Sequence, residues 1–229
     1  MYDKIPIAVV GMGGVFPGAF NLAAFWKNIV GRVSTVKKVP DGRWIASAET
    51  MYHPKPMPDK AYSLKACFVD EFSVDLTGLN LPPELINRLD PLYHLVLHAG
   101  RDAVFDCRTE QIDKSRTGVA LAAIALPTDS ASALTRQILG KSLENIILNK
   151  FGSPRISREQ CLAAKVTGFP AALLARGLNL GGVSFTLDAA CASSLYAVKI
   201  ACDELQSFRA DAMLAGGVSR PESLYTQVG

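Results

Sequence analysis

The sequence is short of charge, of paired cysteines and of long apolar runs, and each shortage closes off a class of function. Only 20% of the 229 residues are Asp, Glu, Lys or Arg, and their net charge of +3 is spread along the chain. That is too mild and too dispersed for a nucleic-acid footprint or a polybasic membrane patch. The five cysteines, at 67, 107, 161, 191 and 202, form an odd set without a C-x-x-C pair. Neither a disulfide framework nor a zinc ribbon is indicated, and the thiols read as reduced, as in the cytoplasm. No apolar run approaches the ~20 residues needed to span a bilayer. The uncharged stretch 5–20 is broken by Pro6, Pro17 and glycines at 11, 13, 14 and 18, and only Lys4 beside Asp3 precedes it, a weak leader for a signal peptide. Internal repeats, low-complexity tracts and flexible linkers are missing too. The expectation is a soluble cytoplasmic protein with a sizeable core, since 49% of its residues are hydrophobic.

Residues 7–11 (IAVVG) are a short β-branched run ending in glycine, which predicts a buried strand, and 22–30 has helical spacing. From about 31 to 83 six prolines interrupt any periodicity, so a long structured excursion is expected there. Apolar residues then recur at helical spacing over 84–105, followed by a strand candidate at 117–126 and by helical or loop material at 141–151 and 157–176. The last third is clearest: strand 183–187, an amphipathic helix 192–208 with Leu195, Val198, Cys202 and Leu205 on one face, and strand 212–215. That is a βαβ unit. The fold class is therefore layered α/β with a mostly parallel sheet and helices on both faces.

Asp188-Ala189-Ala190-Cys191-Ala192-Ser193-Ser194-Leu195 places one cysteine where a strand stops and a helix starts. A thiol at a helix N-terminus feels the positive end of the macrodipole, which favours thiolate. The free N–H groups of the first turn can stabilise an oxyanion on an attacked carbonyl. Small flanking residues admit a substrate to the turn, as in a strand-turn-helix nucleophile elbow. Free cysteine is otherwise among the most buried residues, and that plainer role suits Cys67, Cys107, Cys161 and Cys202. For Cys191, position alone leaves the two readings level.

The segment 188–195 (DAACASSL) resembles the active-site motif of β-ketoacyl synthases, which in polyketide synthases commonly reads D-T-A-C-S-S-S-L. The opening IAVVGMGGVFPG at 7–18 is similar to the family's I-A-I-V-G-M-x-x-x-F-P-G, and Phe25-Trp26, Pro40-Asp41-Gly42-Arg43-Trp44, Asp90-Pro91 and Ala215-Gly216-Gly217-Val218 follow in the family's order. Two positions depart from it: Ala192 replaces a serine, and His94 stands where many relatives have arginine. The pattern is nearest to iterative polyketide and polyunsaturated fatty-acid synthases. The resemblance implies a thiolase-like fold whose N-terminal half is residues 1–229, with Cys191 as nucleophile and its backbone N–H in the oxyanion hole. It implies decarboxylative condensation of an acyl-enzyme with a malonyl thioester. It implies no cofactor of the protein's own, the acyl and malonyl groups arriving on the phosphopantetheine of an acyl carrier protein or on coenzyme A. It further implies a homodimer with a continuous sheet, further domains of a multifunctional synthase, and two histidines and a lysine downstream of Gly229.

Four other features compete. Gly11-Met12-Gly13-Gly14 follows a strand candidate, but Phe16 takes the place of the third glycine of a dinucleotide-binding loop. Asp90, His94, His98 and Asp102 recur every four residues and could share a helix face. They lack the glutamate of an H-E-x-x-H site, so a solvated stripe of i,i+4 pairs is the better reading, with no metal. A Cys-His thioester hydrolase using Cys191 with His94 or His98 is the alternative enzyme, and a ketosynthase-like scaffold the non-enzymatic alternative. Lys150, Arg155, Arg158 and Lys165 form a loose basic stretch that reads first as solvated surface and second as a carrier-protein contact.

Overall fold

The structure is a computed structural model that describes residues 5–44, 46–69, 73–107, 112–124 and 167–220. In chain order its elements are helix α1 (Leu22–Val30), strand β1 (Val36–Lys38), helix α2 (Ala48–Met51), strand β2 (Lys65–Cys67), helices α3 (Pro83–Ile86) and α4 (Pro91–Asp106), strand β3 (Thr117–Ala123), helix α5 (Phe169–Leu178), strand β4 (Ser184–Leu187), helix α6 (Ser193–Gln206) and strand β5 (Ala212–Val218). They cluster into two compact units.

The first unit comprises residues 1–8, 78–97 and 110–218. Its sheet is β4-β3-β5, with β3 in the middle and parallel to both neighbours. Every residue of β3 (TGVALAA) is buried, as a strand covered on both faces must be. Register shows how. Ala120 and Ala122 pair with Phe185 and Leu187, and these four pack with Ala197 and Ala201 of α6. Leu121 pairs with Thr186, on the opposite face, where the Thr186 hydroxyl accepts a hydrogen bond from the Ala171 N–H of α5. Helices therefore cover both faces of a parallel sheet, as the sequence pattern implies. The βαβ unit is present as β4-α6-β5, with β3 lying between its two strands.

The stripe of α6 that faces the sheet differs from the expected one. Leu195 and Val198 are 73% and 49% exposed, whereas Ser193, Ala197 and Ala201 are buried. The packing partners explain the choice. Ala120 and Ala122 sit almost flush with the sheet, and an alanine stripe lets the helix close on them where leucines would hold it away.

The helical run 84–105 is interrupted. Pro91 disfavours helical geometry at the residue before it, so α3 ends and α4 restarts with the Asp90 carboxylate accepting the Leu92 N–H at 2.9 Å. Leu92, Tyr93, Val96 and Leu97 then form a buried face, and Tyr93 meets Phe169 edge-on. Burial pushes the Tyr93 phenol up to about 12, with the Asp90 charge adding to the effect.

The second unit comprises residues 9–77, 98–109 and 219–229. The proline-rich excursion is structured as expected, with its own core. β1 and β2 form an antiparallel ribbon, and Val39, Trp44, Ala61 and Phe68 pack into a cluster beside it. Within the Pro40–Trp44 motif, Gly42 takes a left-handed turn (φ 74°) that returns Trp44 to this cluster, and Arg43 donates to the Val69 carbonyl. Phe25 of α1 stacks on Phe16 with ring centres 3.9 Å apart.

Residues 7–11 do not form the expected buried strand. They carry no strand pairing among the described residues, and Val9 is 80% exposed. β-Branched residues favour extended backbone, but a strand also requires a neighbour to complete its ladder. The glycines just beyond serve helix packing. A Cβ on Gly11 would overlap the Ala103 carbonyl of α4, and one on Gly13 would overlap that of Ala99. The Met12 N–H is taken by the Asp106 carboxylate. Close backbone approach to a helix accounts for Gly-x-Gly there.

Candidate active site

Cys191 lies just past the carboxyl end of β4, the end at which open α/β sheets place their ligands. Strand β4 stops at Leu187. Asp188 then turns the chain, its carboxylate accepting the Ala190 N–H at 2.9 Å in an Asx turn. Ala190 is left-handed, with φ 49°, a conformation that costs a non-glycine residue about 1–2 kcal/mol. A single 3-10 turn, Ala190–Ala192, carries Cys191 into α6. The helix thus begins two residues beyond the cysteine, one residue later than the sequence pattern suggests.

Ser193 fastens the turn from the helix side. Its buried hydroxyl accepts the Ala189 N–H at 2.8 Å and donates to the Ala190 carbonyl at 2.6 Å. Such bonds each contribute about 0.5–1.5 kcal/mol net, enough together with the Asp188 bond to offset the strained Ala190. The N-cap residues of the 3-10 turn and of α6, Ala189 and Ala192, supply no side-chain cap; the first N–H of the 3-10 turn, that of Ala190, is the one Asp188 takes. Cys191 is exposed. An accessible thiol therefore stands at the positive end of a 14-residue helix, a disposition suited to attack on a carbonyl and to holding the resulting oxyanion. Behind it, Gly217 of β5 faces Ser194 and Ala122, so the base of the helix is lined by small groups.

The remaining candidates have contacts of their own. His94 Nε2 lies 2.8 Å from the Ile86 carbonyl, tying α4 to α3. His98 Nε2 lies 3.3 Å from an Asp102 carboxylate oxygen and 3.3 Å from the Phe20 carbonyl. Asp90 caps α4. Within the four-residue repeat of Asp90, His94, His98 and Asp102, the last two form an i,i+4 pair of the kind expected, and no cluster fit to hold a metal occurs among the described residues. Cys107 and Cys202 are half-buried, but Cys67 is exposed on the ribbon opposite Val36, contrary to the buried role expected of it. Cys161 and the basic residues Lys150, Arg155, Arg158 and Lys165 lie outside the described residues. Sequence reasoning treated Asp188 and Ser193 as motif letters and missed their work in the turn. An aspartate two residues ahead of the bonded N–H was the available signal for the first.

The family model described as "Beta-ketoacyl synthase, N-terminal domain" matches residues 4–228. The chain belongs to the β-ketoacyl synthase family. It is 30% identical over 226 residues to polyketide synthase PksL of Bacillus subtilis, covering 95% of this chain and 4% of that protein. It is 31% identical to a phenolphthiocerol/phthiocerol polyketide synthase of Mycobacterium tuberculosis, covering 97% and 11%. It is 27% identical to a polyunsaturated fatty acid synthase of a Thraustochytrium species, covering 100% and 11%. Among solved structures, the PfaC keto synthase-chain length factor superposes with a TM-score of 0.76 at 30% identity, over 94% of this chain and 24% of that one. The ketosynthase from module 6 of the bacillaene synthase of Bacillus subtilis gives 0.69 at 24% identity, covering 93% and 32%, a likeness of fold. The fold is the thiolase-like α/β layering of ketosynthases. The chain spans a small fraction of these large synthases and between 24% and 34% of the solved ketosynthase chains. No helix among the described residues is long and apolar enough to cross a membrane.

Proposed function

We propose that this chain is the N-terminal part, spanning residues 1–229 as one domain, of a ketosynthase that makes β-ketoacyl thioesters, and that Cys191 is its nucleophile. The exposed thiol of Cys191, held by a strained turn at the uncapped start of α6, is the observation that carries the reading. In the first half-reaction the Cys191 sulfur adds to the carbonyl of an acyl thioester. The tetrahedral oxyanion is met by the Cys191 N–H, the donor's thiol leaves with a proton, and the acyl group stays on Cys191. Exchange of one thioester for another is nearly balanced, so the acyl group is stored without a deep trap. In the second half-reaction a malonyl thioester loses carbon dioxide, the resulting carbanion attacks the acyl-Cys191 carbonyl, and the cysteine departs as thiolate. Stabilising that carbanion is assigned to the remainder of the synthase.

The acyl and malonyl groups are proposed to arrive on the phosphopantetheine of an acyl carrier protein or on coenzyme A, in the cytoplasm, with no cofactor bound to the protein itself. A homodimer is proposed to extend the sheet through β4, an edge strand among the described residues. The Cys-His hydrolase is the weaker reading because His94 is engaged by the Ile86 carbonyl, and an acyl-binding scaffold would have no use for the thiol.

The test is mass spectrometry of the full-length protein after incubation with an acyl thioester. The expected adduct is one acyl group on Cys191, abolished in Cys191→Ala together with condensation. An adduct on another residue, or full activity in Cys191→Ala, refutes the assignment.

A further inference from the structure

We infer that Ser193 is the positioning residue of this site: its hydroxyl holds Ala190 left-handed, and this conformation sets how fast Cys191 captures an acyl group. The inference rests on the nucleophile assignment above. Ser193 is one of two buried polar residues among those described, and both capacities of its hydroxyl are in use. The two bonds bracket Ala190: one holds the Ala190 carbonyl, in the peptide that follows it, and the other the Ala189 N–H, one peptide before the group that precedes it. The Ala190 N–H itself is held by Asp188. Every peptide group that could let Ala190 relax from φ 49° is thereby fixed.

A serine hydroxyl bonding back to residues three and four positions earlier competes with helix formation. Its presence at the first position of α6 is accordingly explained by the turn and not by the helix. The same stripe of α6 continues as Ala197 and Ala201, both packed on β3. Ser193 thus ties the turn to the buried, sheet-packed face of the helix, and its buried hydroxyl needs no contact with substrate to act.

The experiment follows single-turnover acylation of the full-length protein by acetyl- and hexanoyl-coenzyme A, resolved by peptide mass and measured against thioester concentration. In Ser193→Ala the maximal rate of Cys191 acylation should fall at least tenfold while half-saturation stays unchanged. Ser193→Thr, which keeps the hydroxyl, should retain most of the rate. Adding Ala190→Gly to Ser193→Ala should restore most of it, because glycine adopts the left-handed conformation without a Cβ clash. Hydrogen exchange at the Ala189 amide gives a reading in the unaltered protein, and strong protection is expected. A wild-type rate in Ser193→Ala, no recovery on adding Ala190→Gly, or an Ala189 amide that exchanges freely would each overturn the positioning role while leaving Cys191 as the nucleophile. A wild-type adduct away from Cys191 would instead remove the nucleophile assignment, and this role with it.

Discussion

Gly118 offers a demanding test of the packing of the central strand, because the structure gives its substitution a sign and a size. It pairs with Met213 in the centre of the sheet. A Cβ added there would stand 2.5 Å from the Met213 sulfur and 2.7 Å from the Val183 carbonyl oxygen. Methionine can yield, but the carbonyl is backbone and already accepts the Val119 N–H at 2.8 Å. Gly118→Ala must therefore push β4 away from β3 and weaken that bond. Overpacking costs about 1–3 kcal/mol and a lost hydrogen bond about 1 kcal/mol, so a destabilisation of about 2–4 kcal/mol is expected. For a chain of this size that corresponds to a fall in melting temperature of roughly 5–15 °C.

Gly216, on β5, provides the matched control. A Cβ there would meet only Leu121 Cδ2, at an ordinary 3.8 Å, and alanine is favoured over glycine within a strand by about 0.5–1 kcal/mol. Gly216→Ala should melt at or slightly above the wild-type temperature. Paired thermal and urea unfolding followed by circular dichroism compares the two variants. Equal melting temperatures for Gly118→Ala and the unaltered protein, or an equal loss in both variants, would refute the reasoning.

Three further outcomes are expected. His94→Ala should lose about 1 kcal/mol of stability with the Ile86 contact yet acylate Cys191 normally; abolished acylation would restore the Cys-His reading. Asp113 is held below the usual carboxylate range mainly by its bond from the Ser115 hydroxyl, and Asp211 by its bond from Arg116. Folded-state values below the unfolded ones mean that their contribution is complete above about pH 4 and fades as pH falls through the folded values. Acid unfolding should therefore be shallower in Asp211→Asn, and an unchanged acid limb would exclude the Arg116 pair as its source. Brief alkylation of the native 229-residue chain should label Cys67 and Cys191 ahead of Cys107 and Cys202; peptide mapping with the reverse order would contradict the burial described.

The parts of the fold that the sequence revealed are those in which neighbours along the chain suffice. The helix at Leu22–Val30, the βαβ succession and the cysteine at its strand-to-helix junction all follow from local spacing and small-residue runs. What the sequence did not reveal depended on partners outside the local pattern. Residues 7–11 have the composition of a strand, but composition does not supply a pairing edge. The glycines after them, set apart from a nucleotide loop by Phe16, owe their place to α4, whose backbone lies against Gly11 and Gly13. The spacing of Asp90, His94, His98 and Asp102 foretold i,i+4 pairing, which His98 and Asp102 make, but not the Ile86 and Phe20 carbonyls that also engage the histidines.

Helix α6 shows why the active site was legible while its support was not. Ranking residues by hydrophobicity selects Leu195, Val198, Cys202 and Leu205 as the inner stripe. The sheet selects Ser193, Ala197 and Ala201 because β3 presents alanines, and closeness governs the contact more than apolar area does. That choice has a consequence for chemistry. With Ala197 and Ala201 seated on Ala120 and Ala122, the first turn of α6 is fixed close to the sheet, and the two residues between strand end and 3-10 turn leave little room to reverse direction. The left-handed Ala190 and the two bonds of Ser193 accommodate that reversal. The strain beside Cys191 is thus the local expression of an alanine-on-alanine contact one and two turns along the helix. Widening the contact by Ala197→Leu should accordingly relax Ala190 and slow acylation of Cys191 even in molecules that remain folded.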